Sequence, residues 1–269
     1  MEFSSLISHR FREFSEHENT TEGLNEALDF GVQKIEFDIR VARCGTPMIY
    51  HDENALDQAG KLRHLYEVMA SEFERLGGAF GHMPSVDALF KAISEHDNST
   101  CELLVDIKDA GFEDVIYALA KIYNLTSRIV WVSWLPEVLY AMNDIESGQR
   151  LCLSHWCRRP GRRTRAVHHV YSAKNGHVKR SKRRLIHGER SGWFVDGPIR
   201  GELRKILTHV CVPAGQVWPD LVSQYQEDGI KVSAFSFTDQ ALIENEARRL
   251  KLDDYFIDNK KLFEVYKSQ

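Results

Sequence analysis

Residues 9–52 read HRFREFSEHENTTEGLNEALDFGVQKIEFDIRVARCGTPMIYHD, and this stretch carries the most information in the chain. Apolar and charged side chains alternate in Lys34–Arg40, which is the periodicity of a β-strand. Thr21–Phe30 has an amphipathic helical pattern that begins after a capping threonine and stops at Gly31. The predicted helix joins this strand to an earlier one, Phe3–His9, so the chain opens with a strand–helix–strand unit.

The alternation of strands and helices continues to the end of the chain. Six further strands are predicted at Glu102–Lys108, Ile129–Ser133, Arg150–Leu153, His209–Val212, Ile230–Phe237 and Tyr255–Ile257. Further amphipathic helices are predicted at Pro84–Glu95, Gly111–Tyr123, Leu135–Ile145, Gln216–Asp228 and Asp239–Lys251. Eight strands that alternate with helices predict an α/β fold whose parallel sheet closes into a (β/α)8 TIM barrel. An open doubly wound sheet is the alternative, but no Gly-rich dinucleotide motif follows the first strand.

Two segments interrupt this alternation. Residues 53–83 are expected to form a small insertion after the second strand, and residues 154–208 a long connection after the fifth. With 269 residues and 43% apolar side chains, the chain can build one large core, so we predict a single domain over residues 1–269. The sequence has no bilayer-length apolar run, no signal-peptide pattern and no zinc-type spacing among its five cysteines. These features predict a cytoplasmic protein with reduced thiols.

The long connection carries a strongly basic segment, residues 158–190. It holds 12 Lys or Arg residues and one acid, Glu189, whereas the whole chain has a net charge of −4. One interpretation is a solvated loop with a general attraction to anions. The other is a segment at the barrel mouth that attracts anionic substrates or an anionic membrane surface. Nucleic acid is not an expected partner, because the only aromatic residues interleaved with this segment are Tyr171 and, at its edge, Trp193, which are too few for a stacking surface.

Charged side chains cluster near the ends of the second and third strands. Glu36, Asp38 and Arg40 share one face of the second strand, and Asp106 and Lys108 share a face of the third, because side chains two apart point the same way. Active sites of TIM barrels lie at the carboxyl ends of the strands, so these residues are expected together in the barrel mouth. Buried neighbouring carboxylates repel each other and lose hydration, and a divalent cation removes both penalties. A buried network of salt bridges is the alternative.

Four separated motifs resemble the glycerophosphodiester phosphodiesterase family. They are His9-Arg10, Glu18-Asn19-Thr20, Glu36-x-Asp38 and His51-Asp52, in the family's order. The resemblance implies a TIM barrel that hydrolyses a small-molecule glycerophosphodiester to glycerol 3-phosphate and an alcohol. It also implies a divalent cation, Mg²⁺ or Ca²⁺, as cofactor. The implied ligands are Glu36, Asp38 and Asp106, although the family usually has glutamate at the third position.

The resemblance also implies roles for residues around the acidic cluster. His9 and His51 match the family's two catalytic histidines. One would remove a proton from the nucleophile, and the other would protonate the departing alkoxide. Arg10 and Lys108 would bind the substrate phosphate, and Glu18 would support the order of the site.

Two departures from the family pattern concern the substrate. Phe11 stands where the family usually has glycine, and a bulky residue there would alter the backbone that approaches the phosphate. The family's late aromatic motif is also changed, so Phe235 or Phe237 is expected to supply the aromatic surface that packs against glycerol.

Two other functional hypotheses stay open. A sphingomyelinase D-like or lysophospholipase D-like phosphodiesterase shares the barrel, the two histidines and an acidic metal site, and its third ligand is aspartate, as at Asp106. The Glu-Asn-Thr motif argues against the secreted toxin type. A barrel that binds a phosphorylated ligand without turnover is the third hypothesis, against which the complete set of histidines, acids and lysine argues. The ten histidines other than His9 and His51 lack metal-site spacing and are expected on the surface.

Overall fold

Eight parallel strands close into a barrel in the computed structural model, which describes residues 1–158, 171–173 and 193–268. Numbered in chain order, they are β1 Leu6–His9, β2 Lys34–Val41, β3 Glu102–Ile107, β4 Ile129–Ser133, β5 Leu151–Ser154, β6 His209–Pro213, β7 Lys231–Phe237 and β8 Asp254–Ile257. Each strand pairs in parallel with its neighbours in sequence, and β1 pairs with both β8 and β2, which closes the ring.

A helix follows each barrel strand among these described residues. In the same order they are α1 Thr21–Asp29, α2 Val86–Glu95, α3 Glu113–Ile122, α4 Pro136–Ile145, α5 Glu202–Ile206, α6 Pro219–Gln226, α7 Gln240–Leu250 and α8 Lys260–Lys267. The predicted (β/α)8 barrel is therefore confirmed. Helices α5 and α8 were not predicted, and β1 begins at Leu6 because Phe3–Ser5 forms a 3₁₀ turn.

Alternating side chains divide the core into two layers. Side chains that point into the barrel form one cluster, made of Ile7, Leu104, Val130, Val132, Cys152, Cys211 and Phe256. The intervening residues, such as Phe37 on β2 and Val105 on β3, pack outward in the larger cluster that includes the helices. Inward-pointing residues nearest the carboxyl ends of the strands therefore lie above this inner apolar cluster, at the barrel mouth.

The segment between β2 and α2 forms a small lobe with its own core. It contains an antiparallel hairpin, Asn54–Leu56 with Leu62–His64, and a short helix, Phe73–Leu76. Its apolar side chains, Phe73 and Phe80 among them, pack around Met48. Before the lobe, Pro47–Ile49 pairs antiparallel with the end of β2, and this pairing leads the chain to His51.

The connection after β5 is described only in part. Trp156–Arg158, Tyr171–Ala173 and Trp193–Asp196 form a three-stranded parallel sheet. The remainder of the basic segment predicted at residues 158–190 lies outside the described residues. Within the described part of the chain, no helix has the length and apolarity needed to cross a membrane.

Two histidines contradict the expectation of a surface location. His155 is fully buried, with Nε2 3.2 Å from the Tyr225 hydroxyl and Nδ1 3.3 Å from the Trp156 carbonyl oxygen. His209, the first residue of β6, is 9% exposed. Burial lowers the pKa of each imidazole to about 4. Both side chains are therefore neutral near pH 7 and pack as polar core residues.

Candidate active site

Three carboxylates converge at the carboxyl ends of β2 and β3. Asp38 and Asp106 are direct neighbours in the parallel register, and Glu36 lies two residues before Asp38 on the same face. Their exposures are 3% for Glu36, 0% for Asp38 and 5% for Asp106. One oxygen from each lies within 4.8 Å of the others, so the three side chains form a single acidic cluster.

Two cations neutralise part of this cluster, and both contact Asp38. Arg10 Nε lies 3.0 Å from Asp38 Oδ2, and Lys108 Nζ lies 2.9 Å from Asp38 Oδ1. Lys108 also contacts Asp106, and Asn19 Nδ2 donates to Asp38 Oδ2 at 3.0 Å. Burial opposes ionisation of Asp38, but Lys108 and Arg10 hold the pKa of its carboxyl well below its usual range. Asp38 is therefore ionised.

The other two carboxylates keep unsatisfied oxygens. Glu36 Oε2 and Asp106 Oδ1 are buried and have no hydrogen-bond partner among the described residues. Burial and the charge of Asp38 raise the pKa of Glu36 well above its ordinary value. Three carboxylates thus face two fixed cations, and two orphaned oxygens point to a missing positive partner. An all-oxygen cluster of this kind fits a hard divalent cation such as Mg²⁺ or Ca²⁺.

His9 is held in one orientation by a residue from the far end of the chain. Its Nδ1 donates to Asp258 Oδ1 at 2.6 Å, while its Nε2 lies 3.7 Å from Glu36 Oε2. Asp258 also accepts a hydrogen bond from Ser236 at 2.5 Å and pairs with Arg12 at 2.9 Å. Although burial opposes it, the hydrogen bond from His9 helps to lower the pKa of Asp258 to about 2. Burial lowers the pKa of His9, so Nε2 can accept a proton beside the acidic cluster.

His51 is positioned through its backbone. Arg40 Nε donates to the His51 carbonyl oxygen at 2.9 Å, and Arg40 Nη1 pairs with Asp109 Oδ1 at 2.9 Å. Asp109 Oδ2 accepts from the Val41 amide, also at 2.9 Å. The His51 side chain is 34% exposed and its Nδ1 lies 2.8 Å from Asp52 Oδ1. Burial lowers the pKa of His51, an effect that the charge of Asp38 opposes. Arg40 lies on the face of β2 that carries the acids, as predicted, and it contacts Asp109 and the backbone that carries His51.

The turn after β1 accommodates the departure at Phe11. Arg10 and Phe11 both have left-handed backbone conformations, with φ of 59° and 57°. The Phe11 ring is fully buried and its centroid lies 5.9 Å from that of Phe37, on the outer side of β2. Gly23 leaves room for it, because a Cβ there would lie 3.1 Å from Phe11 Cβ. Phe11 therefore anchors the turn in the outer core.

Glu18 links the two arginines of the same turn. Its Oε1 lies 3.3 Å from Arg10 Nη1, and its Oε2 accepts from Arg12 Nε at 2.6 Å. Arg12 in turn contacts Asp258, so the turn is tied to both Asp38 and the partner of His9. Five residues of the site were not predicted from the sequence, namely Arg12, Asn19, Asp109, Ser236 and Asp258. Asn19 lies inside the Glu-Asn-Thr motif, which was its only signal.

Aromatic rings line the mouth from His9 toward β5. Consecutive ring centroids lie 5.6 Å apart for His9 and Phe256, and 6.2 Å for Phe256 and Phe235. The row continues with 6.3 Å from Phe235 to Trp134 and 5.4 Å from Trp134 to Trp156. Of the two phenylalanines considered for this surface, Phe235 reaches the mouth. Phe237 is fully buried against Tyr255, with centroids 5.5 Å apart.

Comparison with known proteins gives a family match and several structural similarities. The model of the glycerophosphoryl diester phosphodiesterase family matches residues 7–259. A Silicibacter pomeroyi protein has a TM-score of 0.73 at 17% identity, covering 97% of this chain and 92% of its own. A glycerophosphodiester phosphodiesterase from Parabacteroides distasonis has a TM-score of 0.69 at 15% identity, with coverages of 100% and 99%. An Oleispira antarctica phosphodiesterase, solved in complex with the product sn-glycerol-3-phosphate, has a TM-score of 0.68 at 16% identity, with coverages of 98% and 97%. No curated protein sequence matches the chain.

At these identities the structural similarity shows the fold, and the family match carries the classification. That match runs from β1 to Asn259, just beyond β8, and so includes each strand of the barrel and the acidic cluster. By this match the chain belongs to the glycerophosphoryl diester phosphodiesterase family, whose members are phosphodiester hydrolases.

Proposed function

We propose that this protein hydrolyses a glycerophosphodiester to glycerol 3-phosphate and an alcohol, with the help of a divalent cation. The observation that carries the proposal is the buried cluster of Glu36, Asp38 and Asp106. One oxygen on each residue has no hydrogen-bond partner among the described residues, and of these three only the Asp38 oxygen is paired with Lys108. The Oleispira antarctica phosphodiesterase, whose structure contains sn-glycerol-3-phosphate, has the same fold and supports the choice of product.

Substrate binding in this proposal rests on the two cations of the site. The phosphodiester carries one negative charge, and attack by an oxygen nucleophile increases the charge on its non-bridging oxygens. Arg10 and Lys108, which lie beside Asp38, would bind these oxygens. A divalent cation held by Glu36, Asp38 and Asp106 would add electrostatic stabilisation of the same oxygens.

Proton transfer is assigned to His9 and His51. One takes a proton from water or from a glycerol hydroxyl of the substrate, and the other protonates the departing alkoxide. Both have a pKa lowered by burial, which favours the neutral form of the base near pH 7. The Asp258 carboxylate holds His9 in the tautomer whose Nε2 faces Glu36, and Glu18 supports the arginines that complete the site.

The test is a set of assays on the purified protein. Glycerophosphocholine, lysophosphatidylcholine and a bis-aryl phosphodiester are compared with Mg²⁺, with Ca²⁺ and after exhaustive chelation. We expect cation-dependent turnover of glycerophosphocholine. Glu36→Gln should remove it, whereas Glu102→Gln should not, because Glu102 lies at the opposite end of β3 and pairs with Arg150. Undiminished activity after chelation or in Glu36→Gln contradicts the proposed site.

A second candidate activity is favoured by Asp106. Aspartate at this position is also found in the sphingomyelinase D-like and lysophospholipase D-like enzymes considered above. Preferential release of choline from lysophosphatidylcholine in the same assays, or from sphingomyelin added to them, would replace the glycerophosphodiester assignment.

We also propose a role for the basic segment, argued from its sequence. Its 12 Lys or Arg residues would raise the local concentration of anionic substrates or bind an anionic membrane surface. Electrostatic attraction of this kind has a reach of about 10 Å at 0.1 M salt, so kcat/KM should fall as ionic strength rises while kcat changes little. Replacing four cations with serine should flatten that dependence: Arg180, Lys182, Arg183 and Arg184. If the serine variant and the parent show the same salt dependence of kcat/KM and the same liposome binding, the segment is only a solvated loop. A cytoplasmic location, consistent with five free cysteines, is part of the proposal.

A further inference from the structure

We propose that the outer face of α3 is a contact surface for a second copy of this chain, and that the two copies pack their α3 helices antiparallel about a two-fold axis. An exposed apolar stripe and the charges at its two ends support this assembly. The dimer would form whether or not the protein hydrolyses a diester, so the two proposals can fail separately.

A stripe of apolar side chains runs along the solvent side of α3. Val115, Ala118 and Ile122 are exposed, by 41% for Val115 and 66% for Ile122. Spacings of three and four residues place these side chains on one face of a helix. The opposite face, which includes Ile116 and Ala120, is fully buried in the barrel core. Helix α3 thus has apolar side chains on two opposite faces, and only one of them is covered within a single copy.

Exposed large apolar side chains are sparse on the other barrel helices that the structure describes. They are Ile145, the last residue of α4, and Leu242, near the start of α7. Ile145 extends the stripe of α3, because the next residue along the chain, Glu146, accepts a hydrogen bond from the Tyr117 hydroxyl of α3. The exposed apolar side chains therefore concentrate on α3 and the adjoining end of α4. Contiguous apolar patches of this kind mark interaction surfaces.

The charges at the two ends of the stripe suit a second copy in one orientation. Asp114 is the second residue of α3 and Lys121 the second from its end, and both are exposed. Neither forms an ion pair with another described residue, and Lys121 Nζ lies 5.7 Å from the centroid of the Tyr117 ring. A separation of seven residues places the two charges on the same side of the helix, about 10 Å apart along its axis. In an antiparallel pair, Asp114 of each copy therefore meets Lys121 of the other.

Symmetry explains why a second copy of this chain is the expected partner. A two-fold axis at Ala118 pairs the first turn of each helix with the last turn of the other, so the same apolar residues meet on both sides and two ion pairs form. The small side chain at the axis lets the two helices approach closely. Parallel packing would instead place Asp114 beside Asp114 and Lys121 beside Lys121. A contact that uses the same patch on both copies closes on itself and gives a dimer.

Light scattering after size exclusion, over a range of protein concentrations, tests the assembly on the full chain. The parent should reach twice the mass of one copy. Ile122→Asp should stay monomeric at the same concentrations, with circular dichroism and Tm as checks on folding. Leu242→Asp, the matched control on α7, should form the dimer as the parent does. A parent that stays monomeric throughout, or a folded Ile122→Asp variant that dimerises like the parent, refutes the proposed surface.

Charge exchange tests the orientation of the two helices. Asp114→Lys and Lys121→Asp each bring like charges together at both ends of the stripe, so each should raise the Kd of the dimer by roughly 10-fold or more. The double variant restores both ion pairs and should dimerise as the parent does. An equimolar mixture of the two single variants also restores both pairs and should form mixed dimers. If the single variants dimerise like the parent, or if neither the double variant nor the mixture regains affinity, the antiparallel arrangement is refuted.

Discussion

Replacing Glu36 with glutamine should make the cation-free protein more stable and inactive. Glu36 is 3% exposed, and its Oε2 has no hydrogen-bond partner among the described residues. Burial and the Asp38 charge raise its pKa, so ionisation of Glu36 opposes folding when no cation is bound. Glutamine removes the charge, and its amide can donate to the neighbouring carboxylates. A purely structural salt bridge would respond in the opposite direction, because its loss would lower stability.

The size of the gain follows from the cost of an unsatisfied buried group. That cost is about 1–3 kcal/mol. Since 1 kcal/mol shifts the Tm of a chain of this size by about 2–4 °C, the chelated variant should melt roughly 2–12 °C above the chelated parent. The raised pKa of Glu36 also fixes the pH dependence. In the parent, Glu36 contributes to stability below its unfolded-state pKa, and this contribution is lost as the pH rises through the folded-state pKa. The stability gained by Glu36→Gln should therefore be larger at pH 8 than at pH 5.

Thermal denaturation with and without cation provides the assay. A cation at 100 times its Kd should stabilise the parent by about 2.7 kcal/mol, and Glu36→Gln should lose most of that shift. Glu102→Gln, the control at the other end of β3, should respond to the cation as the parent does. The reasoning is refuted if chelated Glu36→Gln melts below the parent and no cation shifts the parent's Tm. The acids and cations would then form a structural network.

Three further perturbations test the protonation and positioning of the site. His9→Ala and His51→Ala should each lower kcat by a factor of about 10² to 10⁴, and the double variant should lose less than the product of the two. Arg40→Ala frees the backbone of His51 and should lower kcat by about 10², with little further effect in a His51→Ala background. For His155, the pKa of about 4 lies below the ordinary value of 6.5, so the unfolded chain takes up a proton at a higher pH than the folded protein does. The free energy of unfolding therefore decreases as the pH is lowered. The loss from pH 7.5 to pH 5 should be about 2 kcal/mol, and His155→Gln should reduce it.

Each of these perturbations has an outcome that contradicts its reasoning. If His51→Ala changes only KM, His51 binds substrate and does not transfer a proton. If the effects of Arg40→Ala and His51→Ala on kcat multiply fully in the double variant, Arg40 does not act through His51. Chemical denaturation at the two pH values checks His155, and an equal pH dependence in parent and His155→Gln would assign the titration to other groups.

The fold and the acidic cluster could be predicted from the sequence because both depend on local periodicity. Alternation in Lys34–Arg40 predicted which side chains of β2 face inward, and the repeated strand–helix pattern predicted the barrel. The parallel pairing of β2 with β3 then placed Asp106 beside Asp38. Phe11 was expected to alter the backbone near the phosphate, and the structure places its ring in the outer core against Phe37.

Contacts between residues far apart in the sequence could not be predicted. Asp258 contacts His9 across 249 residues of sequence, and this contact exists only because β8 closes the barrel beside β1. Arg12, which also contacts Asp258, has no pattern that distinguishes it from a surface arginine. Periodicity predicts the face on which a side chain lies, but the choice of partner depends on the register of strands from opposite ends of the chain. The buried His155 was missed for the same reason, since its partner Tyr225 is 70 residues away.

The most direct measurement is ³¹P NMR of glycerophosphocholine incubated with the protein, first after chelation and then after Mg²⁺ or Ca²⁺ is restored. The account predicts no reaction without cation and a glycerol 3-phosphate resonance after its addition. Glu102→Gln should match the parent, and Glu36→Gln should stay inactive with either cation. Glycerol 3-phosphate formed at the same rate after chelation, or phosphocholine formed in its place, would contradict the assignment of Glu36, Asp38 and Asp106 as the metal site of a glycerophosphodiester hydrolase.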